Sequence, residues 1–404
     1  MTGAIGARGS AARPGLLTSP LIAVCLVALL GFAANFVIQP VLPILILDLG
    51  GDATLVGIVI AAFSLPSVAL RPVMGRLADT TGSRIVALTG VAVMAIAGFA
   101  YLIPILAVII VVRVAHGVGW AAFNTGGHSL LARLAPPERR GEASGIYNLM
   151  PGIAMFLMPT IGLLLYGVWG TSAAFVASGL MALAACLVVL LGPVPAGRAD
   201  GPRAETARGR DAWLEPGAVV PMSYEFLFSL SYSLFAIFPP VFAASRGIPV
   251  TELAIFYPIY GGTLVLVRAL AGRFLDRAPR ERVIAFGAIT AIAGLAVAAA
   301  ADTVLLLTVG GVLYAIAAAV TSPVTMAMAI DRSDPRRMGA AMATYTLGFQ
   351  LAIGAGAALW GFLIDRLGYP APYLVAIAFL CLLLFMLLVV QPHRRPAATH
   401  RIEP

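Results

Sequence analysis

Long apolar runs, separated by short polar breaks, fill almost the whole 404-residue chain. Twelve can be marked, at 20–47, 55–74, 84–102, 105–131, 142–167, 172–192, 217–241, 253–271, 283–301, 303–328, 339–364 and 371–391. Each approaches or exceeds the ~20 apolar residues that a helix needs to cross hydrocarbon. Within a run the apolar positions are continuous rather than alternating with period two, which predicts helices and not the strands of a membrane barrel. The first run is too long for a secretory leader and is followed by no small-residue cleavage site, so it is expected to stay as the first span. One break is long. Residues 193–216, rich in Pro, Gly and charge, read as a flexible tether between six helices and six more. The expected architecture is an all-α polytopic membrane protein with two six-helix halves around a central cavity: 1–192, the linker 193–216, and 217–404 with a short tail.

Composition agrees: 60% of residues are hydrophobic, 11% are charged, and the mean hydropathy is +0.97. The net charge of +8 resembles a nucleic-acid signal, but its distribution gives a different account. Every one of the 26 basic residues is arginine, and 21 fall in the tails and the loops of one side. Arg71 and Arg268 close helices on that same side, Arg113 lies within a helix, and only Arg246 and Arg366 fall beyond the other side. Asp48, Asp52, Glu252, Asp302 and Asp365 gather at that arginine-poor side. This is the positive-inside asymmetry of a multi-pass protein with both termini in the cytoplasm. It predicts a lipid bilayer as partner and no nucleic acid. The all-arginine bias with abundant Ala and Gly points to a bacterial plasma (inner) membrane.

Cys25, Cys186 and Cys381 all sit inside apolar runs without metal-ligand spacing, so they are expected to pack rather than to bind. No H-E-x-x-H, no His/Cys/Asp cluster and no phosphate loop is present, and two of the four histidines, His393 and His400, are in the tail. These patterns predict neither an enzyme nor an ATP-driven pump, and no cofactor or metal.

The chain also repeats itself. At an offset of 197, Pro43, Gly50, Arg71, Gly75, Arg76 and Asp79 meet Pro240, Gly247, Arg268, Gly272, Arg273 and Asp276. At 198, Pro137, Gly141, Tyr147 and Leu149 meet Pro335, Gly339, Tyr345 and Leu347. Internal repetition of this kind is the mark of secondary transporters. The stretch from Gly75 to Arg84 has the form G-x-x-x-D-x-x-G-x-R, with a degenerate twin at 272–282, and with twelve spans it resembles the major facilitator superfamily over essentially the whole chain. Arg113-Val114-Ala115-His116-Gly117-Val118-Gly119 looks like the fourth-helix signature of its proton-driven exporters. Gly152, Pro159 and Gly162 resemble their antiporter motif, although Met158 stands where a glycine precedes the proline. The resemblance implies alternating access by a single chain, expected to be a monomer, that exchanges protons for a small amphipathic organic compound. A facilitative uniporter or a proton-symport importer is the alternative on the same fold.

The resemblance further implies a latch. Gly75 would admit a neighbouring helix. Asp79 would face the positive N-terminus of the eleventh helix near Gly339, with Arg76 and Arg84 as forks onto nearby acceptors. Gly272, Arg273 and Asp276 would repeat this against the fifth helix near Gly141.

Polar groups inside the spans are the remaining candidates, because such groups usually face the bundle interior. Glu225 is the only carboxylate well inside a span. A desolvated carboxyl favours its protonated form, so Glu225 is the leading proton carrier. Arg113 can bind an anionic group or favour the charged form of a carboxylate, and His116 follows it by three residues. His116, Trp120, Asn124 and His128 recur every four residues on one helix face. Asn35, Gln39, Tyr147, Asn148, Tyr232, Tyr257, Tyr260, Tyr314, Tyr345 and Gln350 complete a pool suited to an amphipathic ligand.

Overall fold

The computed structural model describes residues 18–136, 139–195, 215–275, 278–334 and 337–389. All the regular structure among them is helical. Ten helices are long and apolar enough to cross a membrane, and twelve if each of two bent pairs is one span. We number the twelve in chain order. The first half holds α1 (Ser19–Asp48), α2 (Ala53–Ala69 with Arg71–Thr80), α3 (Ser83–Ala100), α4 (Leu106–Leu134), α5 (Arg140–Trp169) and α6 (Thr171–Leu191). The second holds α7 (Pro216–Ala236 with Pro239–Ser245), α8 (Phe256–Leu275), α9 (Arg280–Ala299), α10 (Val304–Arg332), α11 (Met338–Leu367) and α12 (Pro370–Val389).

The surface is inverted relative to a water-soluble protein. Large apolar side chains such as Ile96, Val111, Leu191, Leu305 and Leu388 are exposed on the outer surface of the bundle, as lipid contact requires. Inside, small residues let backbones touch. Gly90 of α3 packs on the backbone of Phe123 in α4, and at the repeat-equivalent place Gly287 of α9 packs on Thr321 of α10. The 198-residue offset read from sequence is kept by the helix bounds themselves: α4 and α10, like α5 and α11, begin and end 198 residues apart. Cys25 and Cys186 are buried and Cys381 is exposed among apolar neighbours, all three unpaired.

Three predicted elements differ. The stretch 75–80, expected as a loop, is a helix that continues α2 after a 44° bend. Nothing in RLADT stops a helix; Thr80 and Thr81 donate back to carbonyls of the preceding turn, and the chain turns only at Gly82, whose φ of 106° suits a residue without a side chain. Likewise α7 bends by 50° where Pro239 and Pro240 interrupt it, and the segments of α1 part at 38–40, beside Pro40. Of the linker, residues 196–214 lie outside the described residues. Near its end the linker is fixed: the Glu215 amide donates to Thr344 Oγ1 at 2.9 Å, and its carboxylate pairs with Arg337 at 2.9 Å.

Candidate functional site

Glu225 lies three turns into α7, 1% exposed. Its Oε1 accepts from Ser229 Oγ and from Ser322 Oγ, both at 2.9 Å, and its Oε2 from Thr325 Oγ1 at 2.7 Å. The Tyr345 hydroxyl stands 3.0 Å from Thr325 Oγ1 and donates to the Ser322 carbonyl at 2.8 Å. Three helices therefore build the cradle. Ser229 is one turn along α7, the bend-prone T-S-P-V-T of α10 supplies Ser322 and Thr325, and α11 supplies Tyr345. No arginine pairs with Glu225 among the described residues. A buried carboxylate held only by neutral hydroxyls can be neutralised by a proton without stranding a partner charge.

A second buried site lies in the first half. Arg113 of α4 is 4% exposed, its guanidinium carbon 4.4 Å from the centre of the Phe63 ring on α2. Its Nε and Nη1 have no hydrogen-bond partner. His116, fully buried one turn on, meets the Tyr101 hydroxyl at 3.1 Å through Nδ1 and leaves Nε2 unpartnered. A desolvated guanidinium resting on an aromatic face gains some cation–π attraction, but its unused donors leave it able to take an anionic or carbonyl group. Arg113 is about 10 Å along α4 from the arginine-poor end, while Glu225 is about 14 Å along α7 from the arginine-rich end. The two charges thus sit at different depths and in different halves, and Arg113 is not the partner of Glu225.

The rest of the predicted pool divides. Tyr345 joins the Glu225 cradle. Tyr232 bridges the halves, its hydroxyl 4.0 Å from Met155 Sδ. Gln39 also bridges them, its Nε2 donating to the Ala236 carbonyl at 3.2 Å. Asn35 keeps an unpartnered Oδ1, Asn148 is exposed on α5 and Gln350 is half-buried on α11. Trp120 instead belongs to the core of the first half, ring to ring with Phe32, Phe63 and Phe123. Asn124 is turned back to the Trp120 carbonyl of its own helix, and His128 to that of Asn124. Tyr257 and Tyr260 are buried against Phe256 and Phe235, although their hydroxyls have no partner. Tyr314 is spent on Ser231 and the Phe228 carbonyl. On α5, Gly162 lies against the Val37 carbonyl of α1, while open space surrounds Gly152; Pro159 is inside the helix.

The seam between α2 and α11 shows how the halves meet. At the arginine-poor end, Asp365 of α11 reaches the first turn of α2: Oδ1 accepts from the Ala53 amide at 3.2 Å, and Oδ2 from the amide and the hydroxyl of Thr54 at 2.6 and 2.5 Å. Just inside, Gly361 abuts the Ala53 carbonyl and Gly57 the Ala357 carbonyl, so closely that a methyl group at either would collide. Toward the arginine-rich end the contacts run out. Open space surrounds Gly75 and Gly145, and Arg76 and Asp79 are exposed, Asp79 with no hydrogen bond among the described residues. Among the described residues the halves meet closely at the arginine-poor end and leave open space at Gly75 and Gly145 toward the other. The helix approach expected at Gly75 is thus not made here, because this is the open end. Arg84 does act as a fork, but within the first half: Nε and Nη2 hold the Val189 carbonyl at 3.0 and 2.8 Å, and Nη2 also holds Leu190 at 2.9 Å. Asp276 lies outside the described residues, as do the surroundings of Gly272 and the side chain of Arg273.

Sequence reading missed Ser229, Ser322, Thr325, Thr54 and the role of Asp365. Ser229 was within reach, being one turn from Glu225. The others become visible only when separate helices are brought together.

Twelve spans in two repeats, closed at one end over buried charges, define a secondary transporter. The family model for the Major Facilitator Superfamily matches residues 24–277 and 222–404, and the chain belongs to that superfamily. It is 26% identical over 337 residues to an uncharacterized transporter of the same type from Salmonella typhimurium, covering 80% of this chain and 84% of that one. A shorter stretch of 124 residues is 27% identical to the quinolone resistance protein NorA of Staphylococcus aureus, 30% of this chain and 32% of NorA. Among solved structures, a mutant of the nucleoside transporter NupG superimposes with a TM-score of 0.77 at 13% identity, over 91% of this chain and 99% of that one. The protein is a multi-pass membrane transporter with an alternating-access fold that moves a small molecule, and it is not an enzyme.

Proposed function

We propose that the protein exports a small amphipathic organic compound in exchange for protons, with Glu225 as the proton carrier. The observation that carries this reading is the burial of Glu225 in a cradle of hydroxyls, with no ion pair to it among the described residues. A carboxyl so placed loads a proton when one side opens to water and releases it when the other does. Arg113 and His116 hold the substrate or tune coupling from the first half. Asn35, Gln39, Tyr232 and Gln350 line the path. The helix-5 residues Gly152, Pro159 and Gly162 and the partial similarity to NorA favour export. Met158 within that motif is the feature that keeps uniport or proton symport as the second reading.

In this reading the arginine-rich end faces the cytoplasm of a bacterium, with both termini there, and one chain suffices. The units 1–192 and 217–404 rock about the site, and Asp79 with Arg76 forms its contact with α11 in the opposite state.

The test is proton flux in proteoliposomes carrying a pH-sensitive dye, with a panel of cationic, neutral and anionic amphiphiles. Proton movement triggered by one class and lost in Glu225→Gln supports exchange and gives the charge of the substrate. Equilibration of labelled compounds without proton movement supports uniport.

A further inference from the structure

The contact between Asp365 and the first turn of α2 joins the two halves across 311 residues of chain at the closed end. A helix leaves four backbone N–H groups without partners in its first turn. In α2 the orphan amide of Leu55 is taken by the side chain of the N-cap, Asp52, at 2.8 Å, and the first regular helical bond, from the Val56 amide to the Asp52 carbonyl, forms at 3.1 Å. Both bonds are local and travel with α2 wherever it goes. The orphan amides of Ala53 and Thr54 have no local acceptor of this kind, and Asp365 takes both. A negative group there also faces the positive end of the helix dipole.

The division has a consequence for movement. Asp52 alone keeps α2 capped when the halves part, so opening this end does not unravel the helix. What is given up is only the part held by Asp365. That carboxylate is exposed, and Thr54 is half-exposed, so water can replace both partners. The contact is strong enough to favour one state and accessible enough to be reversed.

We propose that Asp365 is the gate residue of the arginine-poor end: its bonds to Ala53 and Thr54 hold that end shut, and their loss shifts the protein toward the state open there. The proposal needs only the alternating-access fold, not the coupling ion, the direction of transport or the substrate.

The test uses the full chain in lipid nanodiscs, with Cys25, Cys186 and Cys381 replaced. Spin labels at Trp169 on α5 and Leu305 on α10, both surface-exposed at the arginine-poor end, report the distance between halves there; labels at Leu191 and Leu388 report the other end. Asp365→Asn keeps the shape and removes the charge. It is expected to raise the open-to-closed ratio at the arginine-poor end about tenfold, with a matching closure at the other end. Thr54→Val removes one hydroxyl bond, leaves both carboxylates, and is expected to shift the ratio in the same direction by about threefold. It also decides the matter should Asp365→Asn fold poorly. Distance distributions identical to the parent in Thr54→Val and in any folded Asp365 variant would overturn the proposal.

Discussion

The two repeats set the same three helices around the same point and furnish it differently. In the second half that point is the meeting of α7, α10 and α11, where Glu225, Ser322, Thr325 and Tyr345 come together. At the equivalent place in α1, α4 and α5 stand Ala28, Asn124, Gly127 and Tyr147. The geometry survives the change: the Tyr147 hydroxyl lies beside Gly127 as that of Tyr345 lies beside Thr325. Yet Ala28 is packed in a hydrophobic core, and the Tyr147 hydroxyl is buried without a partner. The fold therefore offers this site twice and carries charge in one copy only. The charge of the first half is elsewhere, at Arg113, whose repeat mate is Gly311 against Phe256. The backbone is thus symmetric between the halves while the chemistry at this point is not: a carboxyl with three hydroxyl donors in one copy, an alanine in the other.

The sharpest way to break the comparison is at its centre. Glu225→Gln is expected to lower proton-coupled flux on the order of 100-fold, whereas Tyr147→Phe at the equivalent first-half site leaves flux unchanged; dye-monitored proteoliposomes read both. Equal loss in the two variants would show that both copies of the site work. Next, Arg113→Gln is expected to lower transport by about tenfold or more, since a buried charged donor with free N–H groups is removed. Arg113→Lys should not restore it, because an ammonium lacks the planar fork. Radiolabelled uptake, once a substrate is known from the panel, measures this. A smaller effect is expected of Thr325→Val, roughly fivefold on proton flux, because Glu225 keeps two of its three hydroxyl donors. Smallest is Arg84→Ala, which frees the last carbonyls of α6; it should lower stability by about 1–2 kcal/mol in a detergent melt and leave coupling intact.

Much of this was legible in the chain. Span number, the two halves and the repeat follow from apolar runs and from the 197–198 offset, because lipid permits only one way to satisfy a spanning backbone. Glu225 and Arg113 were found as charges that do not belong in hydrocarbon. Partnerships were not legible. Trp120 and Tyr260 carry polar handles as Tyr232 does, and only packing separates the residues of the core from those that bridge the halves. Asp365 read as one more acid beside a loop, since nothing near it in sequence tells of a helix start 312 residues away. The bend in α2 is not legible because the apolar run ends at 74, whereas the polar residues after Gly75 still continue the helix to Thr80.

The cradle of Glu225 has a last property. Each of its donors is a hydroxyl, and a hydroxyl is a rotor that can either give or receive a hydrogen bond. When the carboxylate gains a proton, it must itself donate, and one of its neighbours has only to spin about a single C–O bond to accept. An arginine in the same place, a donor only, would have to withdraw bodily. If Glu225 carries the proton as proposed, its charged and neutral forms can differ by hydrogen orientation alone, on one frame of heavy atoms.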